Sequence, residues 1–391
     1  MKSIIYVTSR RLLPLNSGDK VLTFNILKRL SKIYDIHLYN LNEGSAYTKD
    51  EILKIKKISK SFKTVQFDNS HSLFKILKSL FLNKMYLKVK TYNKQIEKDL
   101  TDFLNLDLNA EYIVWDHLRS SLFFSSNKFK NILIEHNNEA DIFFERAEKE
   151  RIPLVKYLIK KQARFLKAYV EDIHTKMDRI IYLNKNDFLN FVEKKPKKYI
   201  LMDKLLIDFE HNSYEIKQNT DEKINLLFVG SLDWYPNIDA LEWFLEEVFP
   251  YLKNKNNYHL DIVGRDPSKA FIKKINKYSN VDLHRNVPSV EEYYLRADIV
   301  LMPIRRGSGI NIKVLEALSY GIPIVMTSFA KRGYDGLDFI PGADKAESFA
   351  ANIDQLADIM NRKELSVKEL MYYDDYQKNT DLVIRNLFDT F

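Results

Sequence analysis

The chain of 391 residues contains no cysteine. That excludes disulfide frameworks, thiolate metal sites and cysteine nucleophiles, and it suits a reducing cytoplasm. It also has no run of eighteen apolar residues, the length at which a segment reads as membrane-spanning. The first apolar run, Ile4-Ile5-Tyr6-Val7, ends in polar Thr8-Ser9-Arg10-Arg11 and is too short for the apolar region of a secretion signal. A soluble, cytoplasmic protein is expected, attached at most to the inner face of a membrane. Internal repeats and low-complexity segments are absent. Neither half carries Gly-x-Gly-x-x-Gly in its first strand-to-helix turn, which argues against a nicotinamide oxidoreductase.

What is present is globular. Hydrophobic residues make up 45% and charged residues 29%, and 23 Tyr and 24 Phe supply large groups to bury. The length exceeds one ordinary core and suits two domains. The net charge of +8 favours an anionic partner, or it reflects lysines spread over solvated helices; it gives no case for nucleic acid by itself.

Hydrophobic periodicity reads Ile4–Val7 as a strand, Val21–Tyr34 as a helix through Val21, Phe24, Leu27 and Leu30, and Ile36–Tyr39 as a second strand. Short apolar runs at Tyr112–Trp115, Asn131–Ile134 and Arg179–Leu183, separated by helical stretches, extend this to a mainly parallel sheet. The alternation restarts at Leu226–Val229, followed by helix Ile238–Leu252, strand Leu260–Val263, helix Pro267–Tyr278, strand Val281–Leu283, helix Val290–Ala297, strand Ile299–Met302, helix Ile312–Ser319 and strand Pro323–Thr327. This is a second doubly wound α/β domain. The polar stretch His211–Lys223 is the natural linker. The expected organisation is 1–210, 211–375, and a C-terminal helix over 376–391 packing back toward the first domain.

Ligands of open α/β sheets bind beyond the carboxyl ends of the strands, so the loops there carry the chemistry. In Leu13-Pro14-Leu15-Asn16-Ser17-Gly18-Asp19-Lys20, Gly18 stands at a helix entry, where backbone N–H groups can meet phosphate. The same Gly18 can equally make a plain turn with Asp19 as cap. Arg305-Arg306-Gly307-Ser308-Gly309-Ile310-Asn311-Ile312-Lys313 is a stronger diphosphate cradle: two glycines permit close approach, the helix start offers N–H groups, and Lys313 adds a full charge. Glu316, on the next turn, can accept from vicinal ribose hydroxyls. Phe228-Val229-Gly230-Ser231-Leu232 is a third strand end suited to close backbone approach, and Asn237 is a candidate helix cap beyond it.

Taken in order and at these spacings, Val229-Gly230-Ser231-Leu232-Asp233-Trp234-Tyr235-Pro236-Asn237, Ala297-Asp298-Ile299-Val300-Leu301-Met302-Pro303, Gly309-Ile310-Asn311-Ile312-Lys313-Val314-Leu315-Glu316-Ala317-Leu318 and Gly321-Ile322-Pro323-Ile324-Val325 resemble the family 4 retaining glycosyltransferases. The resemblance covers nearly the whole chain. It implies the glycosyltransferase-B fold, two Rossmann-like doubly wound domains facing each other across a cleft. It also implies a sugar nucleotide, UDP- or GDP-linked, in the C-terminal domain: Glu316 on ribose, the backbone of Asn311 and Ile312 on the diphosphate with Lys313 neutralising it, Gly230, Ser231, Ser308, Gly309 and Ile310 nearby, and Val287 of Arg285-Asn286-Val287-Pro288 toward the base. The Gly18 loop approaches the same phosphates. His136, in Glu135-His136-Asn137-Asn138-Glu139, matches the histidine beside the transferring sugar and is the foremost catalytic candidate, with His117 and Asn137 toward a glycan or lipid-linked acceptor.

The family usually has two glutamates eight positions apart, and here the earlier position is Ser308. A related Gly-hydrophobic-Asn-hydrophobic pattern occurs in enzymes resembling trehalose-phosphate synthase, so the loop geometry can survive, and the missing carboxylate bears on donor-sugar recognition first and on activity second. The Arg and Lys that many members carry after the first C-domain strand are replaced, and Arg305, Arg306 or Lys313 can supply that charge. No Asp-x-Asp is present, so no metal and no cofactor are expected. The implied chemistry is hexosyl transfer with retention in surface polysaccharide or glycoconjugate synthesis. A nucleotide-sugar epimerase and a non-catalytic sugar-nucleotide-binding subunit share the fold and stand as alternatives. Finally, the chain from Leu73 to Ile96 has no acidic residue and carries Lys75, Lys78, Lys84, Lys88, Lys90 and Lys94 among apolar side chains. It reads either as a helix packed on the sheet with its lysines in water or as one lying on an anionic membrane face.

Overall fold

The computed structural model describes the chain except residues 16, 68–72, 126–127, 184, 193–197, 203, 210–222, 308–309, 379, 381–382 and 384–391. Two compact units divide it, Met1–Ile207 and Asp208–Thr380. The expected linker and most of the expected C-terminal helix fall outside the described residues. Among the described residues, no helix is long and apolar enough to cross a membrane.

The first unit is built on a seven-stranded parallel sheet. Its strands are β1 (Lys2–Thr8), β2 (Tyr34–Asn42), β3 (Ser61–Gln66), β4 (Ala110–Asp116), β5 (Lys130–Glu135), β6 (Arg179–Tyr182) and β7 (Tyr199–Leu201), in the order β3-β2-β1-β4-β5-β6-β7. Ile4, Ile5, Tyr6 and Val7 of β1 are fully buried, as expected of a central strand covered on both faces. The expected strands are all present, while β3 and β7, at the two edges, are additional. The first helix, Gly18–Leu30, begins three residues before the apolar periodicity and ends four before Tyr34, which opens β2.

The second unit carries β8 (Ile224–Val229), β9 (Tyr258–Gly264), β10 (Val281–Arg285), β11 (Ile299–Met302) and β12 (Ile324–Met326), all parallel in the order β10-β9-β8-β11-β12. The helix expected over Ile238–Leu252 starts earlier, at Tyr235 with Pro236 in its first turn, and after Trp243 loosens into a π-turn, Phe244–Val248, and a 3-10 turn, Phe249–Tyr251. Asn237 is therefore inside the helix and not its cap. Helix Ile312–Tyr320 ends on Gly321 at φ +65, the left-handed conformation that glycine tolerates best. Helix Ile359–Lys378 holds this region through Ser366, whose hydroxyl donates to the Gly321 carbonyl, and Glu369, which accepts from Ile324 N at 3.0 Å.

Both sheets reverse strand order beside their first strand, between β1 and β4 and between β8 and β11, and such reversals open crevices for ligands. In the second unit the crossing is tight: a Cβ on Gly264 would stand 2.1 Å from the Gly230 carbonyl oxygen. Gly264→Ala is expected to destabilise this unit by about 2 kcal/mol. Urea unfolding followed by Trp fluorescence checks this, and an unchanged midpoint would show that the strand ends are free to separate.

Candidate functional site

In the second unit the loops after β8 and β11 meet at the strand reversal. Lys313, second residue of helix Ile312–Tyr320, points back toward β8; its Nζ donates to Asn237 Oδ1 at 2.9 Å and lies 4.5 Å from the centre of the Phe228 ring. Asn237 in turn donates to the Ser231 carbonyl at 2.8 Å. Gly230 makes room for both, since a Cβ there would meet Lys313 Nζ at 2.8 Å and Asn237 Nδ2 at 2.9 Å. Ser231 is occupied within its own loop, donating to Asp233 Oδ1 and accepting from Arg265 Nε, each at 2.7 Å.

Among the described residues, no side chain caps the N-terminus of helix Ile312–Tyr320. Asn311 occupies the N-cap position, but its side chain turns to the Ala330 carbonyl at 3.3 Å and makes no cap, and the first turn holds no acidic residue. Its own carbonyl accepts from Tyr334 at 2.8 Å and from Val314 N at 2.9 Å, and Ile310 packs against Gly333, so the loop is clamped; among the described residues the N–H groups of Ile312 and Lys313 have no partner and can meet an anion. Ser308 and Gly309 lie outside the described residues.

Glu316 stands one turn after Lys313 and accepts from the Tyr294 hydroxyl at 3.2 Å, with the Tyr294 and Tyr320 rings stacked 4.5 Å apart. Burial pushes its carboxyl up to about 7, with the Tyr294 hydrogen bond and Lys313 opposing. Burial likewise lowers the Lys313 ammonium to about 7, opposed by Glu316. Burial thus works against the charge of both half-buried groups, while each favours the charge of the other, and such perturbed pairs cluster at functional sites. Arg305 and Arg306 are otherwise engaged: both pair with Asp239, at 3.3 and 3.0 Å, and they lie over the Trp243 and Tyr235 rings respectively. Arg305 also lines a cavity with Ser328, Phe329, Arg332 and Asp344. Val287 is half-buried in the turn after β10.

In the first unit a hydrogen-bonded cluster occupies the reversal between β1 and β4. Asp116, the last residue of β4, is fully buried; Oδ1 pairs with His136 Nε2 at 2.7 Å, and Oδ2 accepts from Thr8 at 3.0 Å and Thr23 at 2.8 Å. Burial raises its carboxyl, but the two histidines and these hydrogen bonds more than offset that and hold it well below the usual range. His117 adopts φ +67, and its ring stacks on His136 with centroids 3.5 Å apart. Its Nε2, 3.9 Å from Asp116 Oδ2, is buried without a hydrogen-bond partner among the described residues, and burial together with the adjacent His136 lowers its pKa to about 3, so this ring is neutral at pH 7. Asn137 is half-buried, and Asn138 caps helix Glu139–Lys149.

Gly18 is the exposed first residue of its helix, following Ser17 at the N-cap position. The next residue, Asp19, pairs with Arg10 Nε at 3.2 Å; burial opposes its ionisation, yet Arg10 and the histidines hold it at about 2. Glu43 bridges Arg10 at 2.9 Å and Arg119 at 2.7 Å. Asp116, His117 and His136 have donor atoms within 4.8 Å of one another, as do His259, Asp261 and Asp282 on the second sheet.

Sequence reasoning named Lys313, Glu316, Gly230, His136 and His117, and the structure brings the first three to one strand reversal and the last two into one stack. It missed Asp116, although an acid before His117 at a strand end was a signal. It also missed Tyr294, and the pairing of Asn237 with Lys313 had no signal at all.

Residues 223–358 match the model of the family described as glycosyl transferases group 1. A Klebsiella pneumoniae protein, the "Uncharacterized 44.6 kDa protein in cps region", is 23% identical over 349 residues, 85% of this chain and 84% of its own. Among solved structures, OtsA in its apo form superposes with a TM-score of 0.62 at 13% identity, covering 99% of each chain. A point mutant of S. aureus TarM, in complex with Fondaparinux, alpha-GlcNAc-glycerol and UDP, superposes with a TM-score of 0.60 at 14% identity, covering 100% of each. These findings bear out the motif resemblance at the level of the group 1 family, with family 4 compatible, and the two all-parallel sheets are those of the glycosyltransferase-B fold.

Glu316 also sets a pH signature. Between the ordinary 4.5 and its raised value of about 7, the folded protein keeps a proton that the unfolded chain has lost, so stability falls as pH rises through this window. Compared with wild type, the E316Q variant is expected to gain on the order of 2 kcal/mol from pH 4.5 to pH 8. Denaturant titrations across that range test it; parallel stability curves would place the carboxylate in water.

Proposed function

We propose that this glycosyltransferase moves a hexosyl unit, with retention of anomeric configuration, from a UDP- or GDP-sugar to a glycan or lipid-linked glycan. The group 1 match and the fold support the transferase itself. The observation that carries the finer reading is the N-terminus of helix Ile312–Tyr320, uncapped among the described residues, with Lys313 and Glu316 one turn apart at the β8/β11 reversal. A pyrophosphate accepts hydrogen bonds from the first-turn N–H groups and neutralises Lys313, while Glu316 takes two ribose hydroxyls at a fixed depth behind it. The TarM complex, which contains UDP, and the relative from a cps region are in keeping with such a donor and with a role in surface polysaccharide synthesis.

In the reaction the bond from the anomeric carbon to the diphosphate oxygen breaks and its electron pair leaves on the diphosphate. The acceptor oxygen attacks the same face, and its proton passes to the departing phosphate. The helix N-terminus and Lys313 stabilise the growing negative charge, so the reaction needs neither metal nor cofactor. His136, oriented by Asp116, acts on the transferring sugar, and the neutral His117 and Asn137 flank the acceptor. With Arg305 and Arg306 drawn to Asp239, the charge on the diphosphate falls to Lys313.

Glu316→Ala is expected to weaken sugar-nucleotide binding at least about tenfold in calorimetry while the circular dichroism spectrum is retained. His136→Ala is expected to keep donor affinity and to lose transfer by about a hundredfold or more. Equal affinity in E316A would remove the donor site. Full turnover in H136A would remove the catalytic assignment, and conversion of the donor with no acceptor present would favour an epimerase.

A further inference from the structure

Helix Leu73–Phe81 turns its apolar side away from the protein. Phe74, Leu77 and Phe81 form one stripe at helical spacing and are 72%, 58% and 90% exposed, whereas Ser79 faces inward and is buried. That inverts the ordinary surface helix, whose apolar stripe faces the core. Leu82 extends the patch. Exposed Lys78 flanks the stripe, and exposed Lys84, Lys88 and Lys94 follow on the adjoining chain, in a stretch with no Asp or Glu from Leu73 to Ile96. Helix Pro153–Lys176, whose Gln162 accepts from Tyr86 N at 2.7 Å, begins with further exposed apolar groups at Ile152, Leu154 and Tyr157.

Charge decides what covers this face. A second copy of the chain would bring Lys78, Lys84 and Lys88 against like charges. A leaflet of anionic lipid offers the complement: acyl chains for the Phe-Leu-Phe stripe and phosphates for the lysines around it. At nine residues the helix is far too short to span a bilayer and has the length to lie in its plane. We propose that helix Leu73–Phe81 docks the protein on an anionic membrane surface, with Phe74, Leu77 and Phe81 entering the acyl boundary and Lys78, Lys84 and Lys88 meeting lipid phosphates. The inference concerns the first unit alone and holds whether or not the second unit transfers sugar.

Flotation of the full chain with phosphatidylcholine vesicles, with and without about 30% phosphatidylglycerol, tests it. The wild type is expected to float with the anionic vesicles and to stay below with the neutral ones. The variant F74E/L77E/F81E is expected to lose at least about tenfold in partitioning, and K78E/K84E/K88E to lose a comparable amount, with the wild type following as salt is raised. All six positions are exposed, and thermal melting confirms that the variants fold. A wild type that stays below with anionic vesicles, or a triple glutamate variant that floats as well as wild type, overturns the proposal. So does a dimer in light scattering that F81E dissolves, since a second copy would then own the face. Donor calorimetry on the same samples keeps this outcome separate from the enzymatic reading.

Discussion

A lysine placed where a side chain is missing holds the second unit's site together. Lys313 can lie over the end of β8 and bond Asn237 only because residue 230 is glycine; any Cβ there would displace both partners. With the bond from Asn237 to the Ser231 carbonyl, the contact ties the β8 loop to the helix that starts after β11. Burial beside the Phe228 ring depresses the ammonium held there. A half-buried cation of this kind, with the nearest carboxylate one turn away and itself raised, is costly unless a ligand offsets the difference.

The two strand reversals follow one topological rule and reach opposite electrostatic states. At β8/β11 Lys313 and Glu316 are met by the neutral groups Asn237 and Tyr294, and among the described residues the helix end is uncapped. At β1/β4 the charge of Asp116 is met by His136, Thr8 and Thr23, and Arg10 and Arg119 are closed by Asp19 and Glu43. The first arrangement suits capture of a diphosphate. The second suits rigid presentation of an imidazole, since His136 is fixed at Nε2 by a buried carboxylate and on its face by His117.

Much of this was legible in the sequence, and the misses have physical causes. The central strands announce themselves because burial on both faces demands continuous apolar runs such as Ile4–Val7 and Ile299–Met302. The edge strands β3 and β7 have one neighbour each; β3 is half-exposed and mixes Ser, Lys, Thr and Gln with its apolar residues, and β7 is three residues long, so neither leaves that signature. Gly230, Lys313 and Glu316 stand in strand-end loops and a helix start whose glycine and charge pattern the sequence displays, and the structure brings them to one strand reversal. Asn237 was read as a cap because it follows a turn, whereas Pro236 starts the helix earlier and frees the amide for a partner 76 residues away. Tyr294 and the Thr8–Asp116–Thr23 bonds are likewise long-range pairings, which periodicity does not encode. The engagement of Arg305 and Arg306 by Asp239 belongs to the same class: basic residues beside a phosphate-like loop look available until their acid partner is placed.

The central claim is that the turn ending at Asn311 and the first turn of helix Ile312–Tyr320 grip a pyrophosphate. Diffraction from crystals soaked with UDP, and in parallel with GDP, tests it directly. The account predicts diphosphate density against the N–H groups of Ile312 and Lys313, with the ribose on Glu316. Density elsewhere in the second unit, with that helix start empty and Lys313 still on Asn237, would contradict it.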